Sequence, residues 1–175
     1  RLSSVFNILT RKGNNKSFTA HAGISPVSAN ATVEGPIKKD HSSFLLSGRS
    51  SYSDWILNQM EDPLIRDSDA FFYDFSGSLN FQPNTKNVFN VFYYQSYDKF
   101  RYSNLSNYEY ANRGASVSWE KNISPALTSK LIGTSSFYDF ANTDQSELSR
   151  AYTHEYMLNH NELLAEFQWV PNMNH

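Results

Sequence analysis

The 175 residues combine 15% aromatics with a formal net charge of -2 and a mean hydropathy of -0.56, and Asn and Ser are abundant throughout. No run of Lys and Arg marks a nucleic-acid-binding face, the absence of cysteine removes disulfides and thiolate metal ligands, and no apolar run is long enough to span a bilayer as a helix. Length suffices for one domain with a core, yet many aromatics with few aliphatics suit strands that show one side to something apolar and the other to water.

Arg1 to Arg11 reads as a short strand stopped by Lys12-Gly13-Asn14-Asn15. The first five residues lack the apolar stretch of a signal peptide, so an exported protein would begin upstream of them. Lys16 to Ser25 and Ser28 to Glu34 form a weakly apolar hairpin interrupted by Pro26, and a turn is expected at Gly35-Pro36 and the charged residues after it. Ser42 to Trp55 follows as a strand with Phe44, Leu46, Gly48 and Tyr52 on one parity and Ser43, Ser47, Arg49 and Ser51 on the other. Leu57 to Asp69, with Pro63 and several carboxylates, reads as a longer polar loop.

Ala70 to Gln82 has the cleanest alternation, Phe71, Tyr73, Phe75, Gly77, Leu79 and Phe81 opposing Asp74, Ser76, Ser78 and Asn80, and excludes a helix. Pro83 to Lys86 turns the chain into an aromatic strand, Asn87 to Arg101, and a polar loop follows at Ser103 to Asn107. Tyr108 to Glu120 sets Ala111, Ala115, Val117 and Trp119 against Tyr110, Asn112, Gly114 and Ser116. A turn containing Pro125 leads into Leu127 to Phe140, whose facing is undecided because Leu131 and Phe137 disagree in parity with Ile132, Tyr138 and Phe140. After a polar loop at Ala141 to Arg150, Ala151 to Val170 reads as a last strand, with a helix over Glu147 to Phe167 as its competitor.

Connections near residues 36, 84 and 123 are short, and those near 62, 104 and 146 are longer and more polar. Short turns at one end and long loops at the other, with Phe81, Trp119 and Trp169 just before short turns, match the outline of an outer-membrane barrel with its interfacial aromatics. The expected fold is all-β: an antiparallel transmembrane β-barrel, of which this chain supplies about eight strands. Arg113 shares the parity of Ala115 and Val117, so it should lie near the outer interface or at a bulge. A mid-bilayer charge costs about 2 to 4 kcal/mol.

Three stretches resemble a TonB-dependent outer-membrane receptor of the kind that carries a carboxypeptidase-regulatory-like domain upstream. Arg1-Leu2-Ser3-Ser4-Val5-Phe6-Asn7-Ile8 is similar to the closing strand of the plug domain. Asn30 to Tyr52, with Val33-Glu34-Gly35-Pro36-Ile37 and Phe44-Leu45-Leu46-Ser47-Gly48-Arg49, resembles the second and third barrel strands. Tyr73-Asp74-Phe75 to Phe81, then Tyr97-Asp98-Lys99-Phe100, resembles the next hairpin. The resemblance implies a plugged barrel of about 22 strands, with residues 1–15 ending the plug and 16–175 forming the N-terminal part of the barrel, both ends internal to a longer protein. It also implies active import of a nutrient such as a siderophore or glycan, in the bacterial outer membrane. The partners would be membrane lipid, a TonB-type energy-coupling protein acting through a segment outside these residues, the small-molecule or oligosaccharide ligand, and possible help from a surface lipoprotein.

In that frame Trp55, Asp69, Tyr102, Tyr108 and Asp144 sit where an extracellular ligand would first arrive. Arg49, Asp74, Asn80 and Asn112 would line the lumen and touch the plug. No hydrolase, P-loop or dinucleotide motif suggests an enzyme, the acidic loop lacks calcium-loop spacing, and the five histidines show no metal-ligand spacing, so no cofactor or metal is implied. An autonomous eight-stranded barrel with a structural or adhesive role and a soluble carbohydrate-binding β-sandwich remain as alternatives. The sandwich requires the apolar faces to pack on each other.

Overall fold

The computed structural model describes residues 10–103, 105–145 and 149–171. Most of the strand expected over Arg1 to Arg11 lies outside them, and residues 10–18 contain no strand. The rest is a meander of eight strands, β1 (Thr19–Ile24), β2 (Ser28–Lys38), β3 (Ser42–Ser51), β4 (Asp69–Asn84), β5 (Asn87–Tyr102), β6 (Ser106–Ser124), β7 (Leu127–Asp144) and β8 (Tyr152–Trp169). Each strand pairs antiparallel with its neighbours in chain order, in one sheet that is open because β1 and β8 are its two edges.

Three tight turns join β2 to β3, β4 to β5 and β6 to β7 at one end, and each has a register shift on its incoming strand, between Pro36 and Lys38, Phe81 and Asn84, and Asn122 and Ser124. Such bulges bend a strand into its turn. The Asn84 side-chain oxygen accepts from the backbone N–H groups of Lys86 and Asn87 at 3.0 and 2.9 Å, and the Ser124 hydroxyl accepts from Ala126 N–H at 3.3 Å. Both use short polar side chains to fold the backbone back.

The first of these turns is not at Gly35-Pro36. Those residues remain in β2 opposite Phe44 and Ser43, and the chain reverses at residues 39–41, where Asp40 takes a φ of 61°. Pro36 is tolerated because the ladder breaks just beyond it, where its missing N–H costs little. Asp is among the residues that accept the left-handed conformation.

At the opposite end, the loop expected over Leu57 to Asp69 contains two short helices, α1 (Asp54–Leu57) and α2 (Pro63–Arg66). The Asp62 carboxylate accepts from Leu64 N–H at 2.9 Å with Pro63 opening α2, an N-cap and first-turn proline in their preferred places. The connection near residue 104 is shorter than expected, since β5 runs to Tyr102 and β6 starts at Ser106. The 18 residues of β8 pair with β7 from Leu127↔Trp169 to Asp144↔Tyr152, so the helical alternative for this segment does not form. A long template strand supplies hydrogen bonds that local helix propensity cannot outweigh.

Register divides the sheet into two faces. One, the Phe75 face, carries Leu46, Phe71, Phe75, Leu79, Val91, Val117, Leu131 and Leu163, all exposed. The other, the Asp74 face, carries Ser43, Ser47, Arg49, Ser76, Ser78, Asn80, Asn90, Asn112 and Ser118 on β3 to β6. Among the described residues no apolar side chain is buried; the buried ones are Glu34, Ser42, Ser43, Ser51 and Ser96. Among the described residues no second sheet covers the Phe75 face.

Two aromatic rows bound that face. Near the tight turns Phe81, Phe89 and Trp119 stand side by side, with ring centroids 6.2 and 5.9 Å apart. Eight residues up the strands Tyr73 and Tyr97 meet at 6.0 Å. Arg113 lies below the upper row in unbroken register with Gln95 and Phe137, so it sits at no bulge.

Candidate functional site

The four residues expected to face a lumen all project from the Asp74 face, and three of them share one row. Arg49, Asp74, Ser96, Asn112 and Tyr138 are successive cross-strand partners. Arg49 Nε donates to Asp74 Oδ2 at 2.6 Å, and its guanidinium carbon lies 5.2 Å from the centroid of the Phe72 ring. Asn112 donates to the Ser96 hydroxyl at 3.2 Å. Asn80 belongs to a separate row nearer the tight turns, where its amide donates to Asn90 Oδ1 at 2.5 Å and Asn90 donates to the Ser118 hydroxyl at 3.2 Å. Cross-strand hydrogen bonds of this kind hold a polar face in one arrangement.

The five expected loop residues divide differently. Only Trp55 lies outside the strands, in α1, while Asp69 opens β4, Tyr102 ends β5, Tyr108 is inside β6 and Asp144 ends β7. These strands run well past the length a bilayer requires, so residues that sequence places in loops are carried by the ladder. Tyr102, Ser106, Asp144 and Tyr152 form one row, and Phe100, Tyr108, Asn142 and His154 the next, all on the Asp74 face. Asp69 projects from the opposite face beside Arg101.

Trp55 has a structural task. Its indole N–H donates to Pro26 O at 2.9 Å while the Tyr52 hydroxyl donates to Ser25 O and, at 3.2 Å, to Ser28 O. Together they tie the β1–β2 turn to the α1 segment. Burial pushes the Asp54 carboxyl above its ordinary range and the adjoining Asp69 carboxyl adds to this, against the opposing pull of Arg101.

At the opposite end of the sheet the chain before β1 is held against the Asp74 face. Arg11 forks onto Glu34 at 2.6 and 2.9 Å, and Asn14 N–H donates to the same carboxylate at 2.9 Å. Gly13 presses so close to the β3 backbone that an added Cβ would fall 2.2 Å from Phe44 O. Only glycine fits there.

No protein family, curated protein or solved structure matches the chain. Its own geometry therefore carries the argument.

Of a set of rings on the upper Asp74 face, sequence reasoning singled out only Tyr108. Phe100 meets Tyr108 at 6.5 Å, Tyr110 meets Phe140 at 5.0 Å, and Tyr138 meets Tyr156 at 6.4 Å between ring centroids. The signal was present in the parity of Tyr138 and Phe140, which only the β6–β7 register resolves by placing them beside Asn112 and Tyr110. Among the described residues no group of three His, Cys, Asp or Glu side chains could hold a metal, and no helix is long and apolar enough to cross a membrane.

Proposed function

We propose that this chain forms part of the wall of an outer-membrane β-barrel of the TonB-dependent transporter type, which imports a nutrient ligand. The observation that carries the reading is a single antiparallel sheet with no buried apolar side chain among the described residues and one apolar face bounded by two aromatic rows. In water so large an apolar face demands a cover; in a bilayer, lipid supplies it and aromatic rows mark the two interfaces.

Among the described residues neither β1 nor β8 has a partner strand on its outer edge, and a membrane does not tolerate unpaired backbone groups, so on this reading further strands close the barrel. An autonomous eight-stranded barrel would need β1 paired to β8, and a sandwich would need a facing sheet. The Asp74 face becomes the lumen wall, and residues 10–17, latched to Glu34, become the link between a plug and the first strand. The plug blocks the barrel until a TonB-type partner pulls on it. Ligand enters from the end that carries α1 and α2, and a surface lipoprotein could assist its capture there.

Membrane fractionation of cells expressing the native gene, with intact mass of the protein that carries this sequence, tests the proposal. A detergent-dependent outer-membrane species several times heavier than 20.1 kDa is expected. A soluble 20.1 kDa protein would refute it.

A further inference from the structure

The Asp74 face changes character along its length. Near the tight turns it carries mostly Ser, Asn and Thr, with Phe92, Tyr94 and Leu164 among them, whereas at the helix-bearing end of β5 to β8 two successive rows are dominated by rings, Phe100, Tyr108 and His154 in one and Tyr110, Phe140 and Tyr156 in the next, with Tyr138 in the row below. At the same level the Phe75 face carries Lys99, Arg101, Asn107 and Glu109. The usual division between the faces is thus reversed there, and covering by lipid cannot account for rings on the lumen side.

We infer that this aromatic floor, built on Phe100, Tyr108, Tyr110, Tyr138, Phe140 and Tyr156, binds a neutral oligosaccharide. The inference rests on the proposed transport function for its position inside a lumen mouth, and names the substrate class of that site.

Three features favour this occupant. The rings form a continuous surface, since Tyr110 and Phe140 lie 5.0 Å apart and His154 extends the surface 6.2 Å from Phe140. Four strands at about 4.8 Å spacing span roughly 14 Å, room for several linked sugar rings rather than one. The surface is also open, with Phe100 45% and Tyr156 49% exposed, so apolar sugar faces can stack on it.

Charge then separates the ligand classes. The two ring-dominated rows contain the Asp98 carboxylate, between Phe72 and Tyr110, and no Lys or Arg, and the row of Tyr138 below them adds Arg49 and Asp74 at its far end. The nearest guanidinium on this face, Arg49, is held by Asp74 at 2.6 Å. An anionic iron chelate would meet negative charge with no free cation to receive it, whereas sugar hydroxyls can donate to Asp98 and to the tyrosine oxygens. Neutral rings are the better match.

The full-length protein, purified in detergent, would be titrated calorimetrically with a panel of neutral gluco-, xylo-, manno- and galacto-oligosaccharides and, separately, with ferric enterobactin-type catecholates and ferric citrate. At least one neutral oligosaccharide should bind. Tyr110→Ala and Tyr156→Ala should each weaken it about tenfold, the loss of one stacking contact, while Tyr110→Phe, which keeps the ring, should largely retain binding. Circular dichroism and heat-dependent gel migration would establish that each variant is folded.

Absence of binding across the neutral panel would overturn the inference. So would binding that ignores the alanine substitutions, or binding of an anionic chelate through the same rings. Fractionation reads the transport proposal separately: a soluble protein that binds oligosaccharide through Tyr110 keeps the floor and refutes the barrel, and a membrane receptor indifferent to every sugar does the reverse.

Discussion

Leu46→Arg tests which face meets lipid. Leu46 is 43% exposed on the Phe75 face and lies over Gly77, where a Cβ would sit 3.2 Å from Leu46 Cδ2. Gly77 is four residues from both Phe81 and Tyr73, the β4 members of the two aromatic rows. At roughly 3.3 Å per residue and a tilt near 40°, that is about 10 Å of height from either row, close to the midplane of a band about 25 Å tall.

An arginine at midplane costs about 2 to 4 kcal/mol, which is roughly a thirtyfold to thousandfold loss in the folded-to-unfolded ratio. Leu46→Ala supplies the reference, because it removes the same side chain without adding charge. Ser76→Arg places the charge on the Asp74 face, opposite Ser47 and Tyr94, where in the proposed barrel lumen water solvates it. The assay is denaturant unfolding of the full-length protein in lipid vesicles. Leu46→Arg should fall below Leu46→Ala by the stated amount and Ser76→Arg should not. On a water-exposed sheet, surface substitutions stay within about 0.5 kcal/mol, so equal stability of Leu46→Arg and Leu46→Ala would refute the lipid assignment.

The latch at residues 10–17 gives a second test: Glu34→Gln removes the charge that holds Arg11 and should loosen the segment by about 1 kcal/mol, since Arg11 is more than half exposed and solvent screens it. Faster trypsin cleavage at Lys12 and Lys16 would report it, and unchanged cleavage would dismiss the latch. Gly13→Ala should cost about 1 to 3 kcal/mol, because backbone rather than a mobile side chain meets the new methyl, and a smaller change in thermal stability would count against the close approach. The Asp54 carboxyl titrates above its ordinary range, so the α1 segment is favoured when Asp54 is protonated and loosens as pH rises through that raised value. Hydrogen-exchange protection of residues 52–68, taken relative to the intrinsic base-catalysed rate, should therefore fall across that window in the native protein, and Asp54→Asn should abolish that fall.

The alternation of β4 and β6 made their faces legible, because two-residue periodicity reports an unequal environment directly. It failed for β7, where Phe137 on one face and Tyr138 and Phe140 on the other give no contrast, and only pairing with Arg113, Asn112 and Tyr110 decides. The turn after β2 begins later than expected, at the charged residues rather than at Gly35-Pro36, because Gly-Pro is a strong local turn signal that β2 absorbs just before its bulge. Loop residues were misplaced for a related reason: polarity resembles a loop, yet pairs such as Lys99 with Glu109 and Asp69 with Arg101 let polar residues extend a ladder. Arg49, Asp74 and Asn112 needed only parity to be grouped on one face, and register then put them in one row.

Polar residues on the Phe75 face are the hardest demand on a lipid assignment, since each must find a partner or reach an interface. Gln95 finds partners: Tyr93 donates to its side-chain oxygen at 2.8 Å, and its amide donates to the Tyr73 hydroxyl at 3.1 Å. Asn161 donates to Asn159 at 3.2 Å. Arg113 stands six residues from Trp119 and two from Ala111, which is level with Tyr73 and Tyr97. Its stem can lie along the Ala111 surface while the guanidinium reaches the level of the tyrosine hydroxyls. The upper aromatic row is therefore where the apolar band ends on β5 and β6, and it ends in tyrosines rather than phenylalanines because these rings must bridge apolar and polar surroundings.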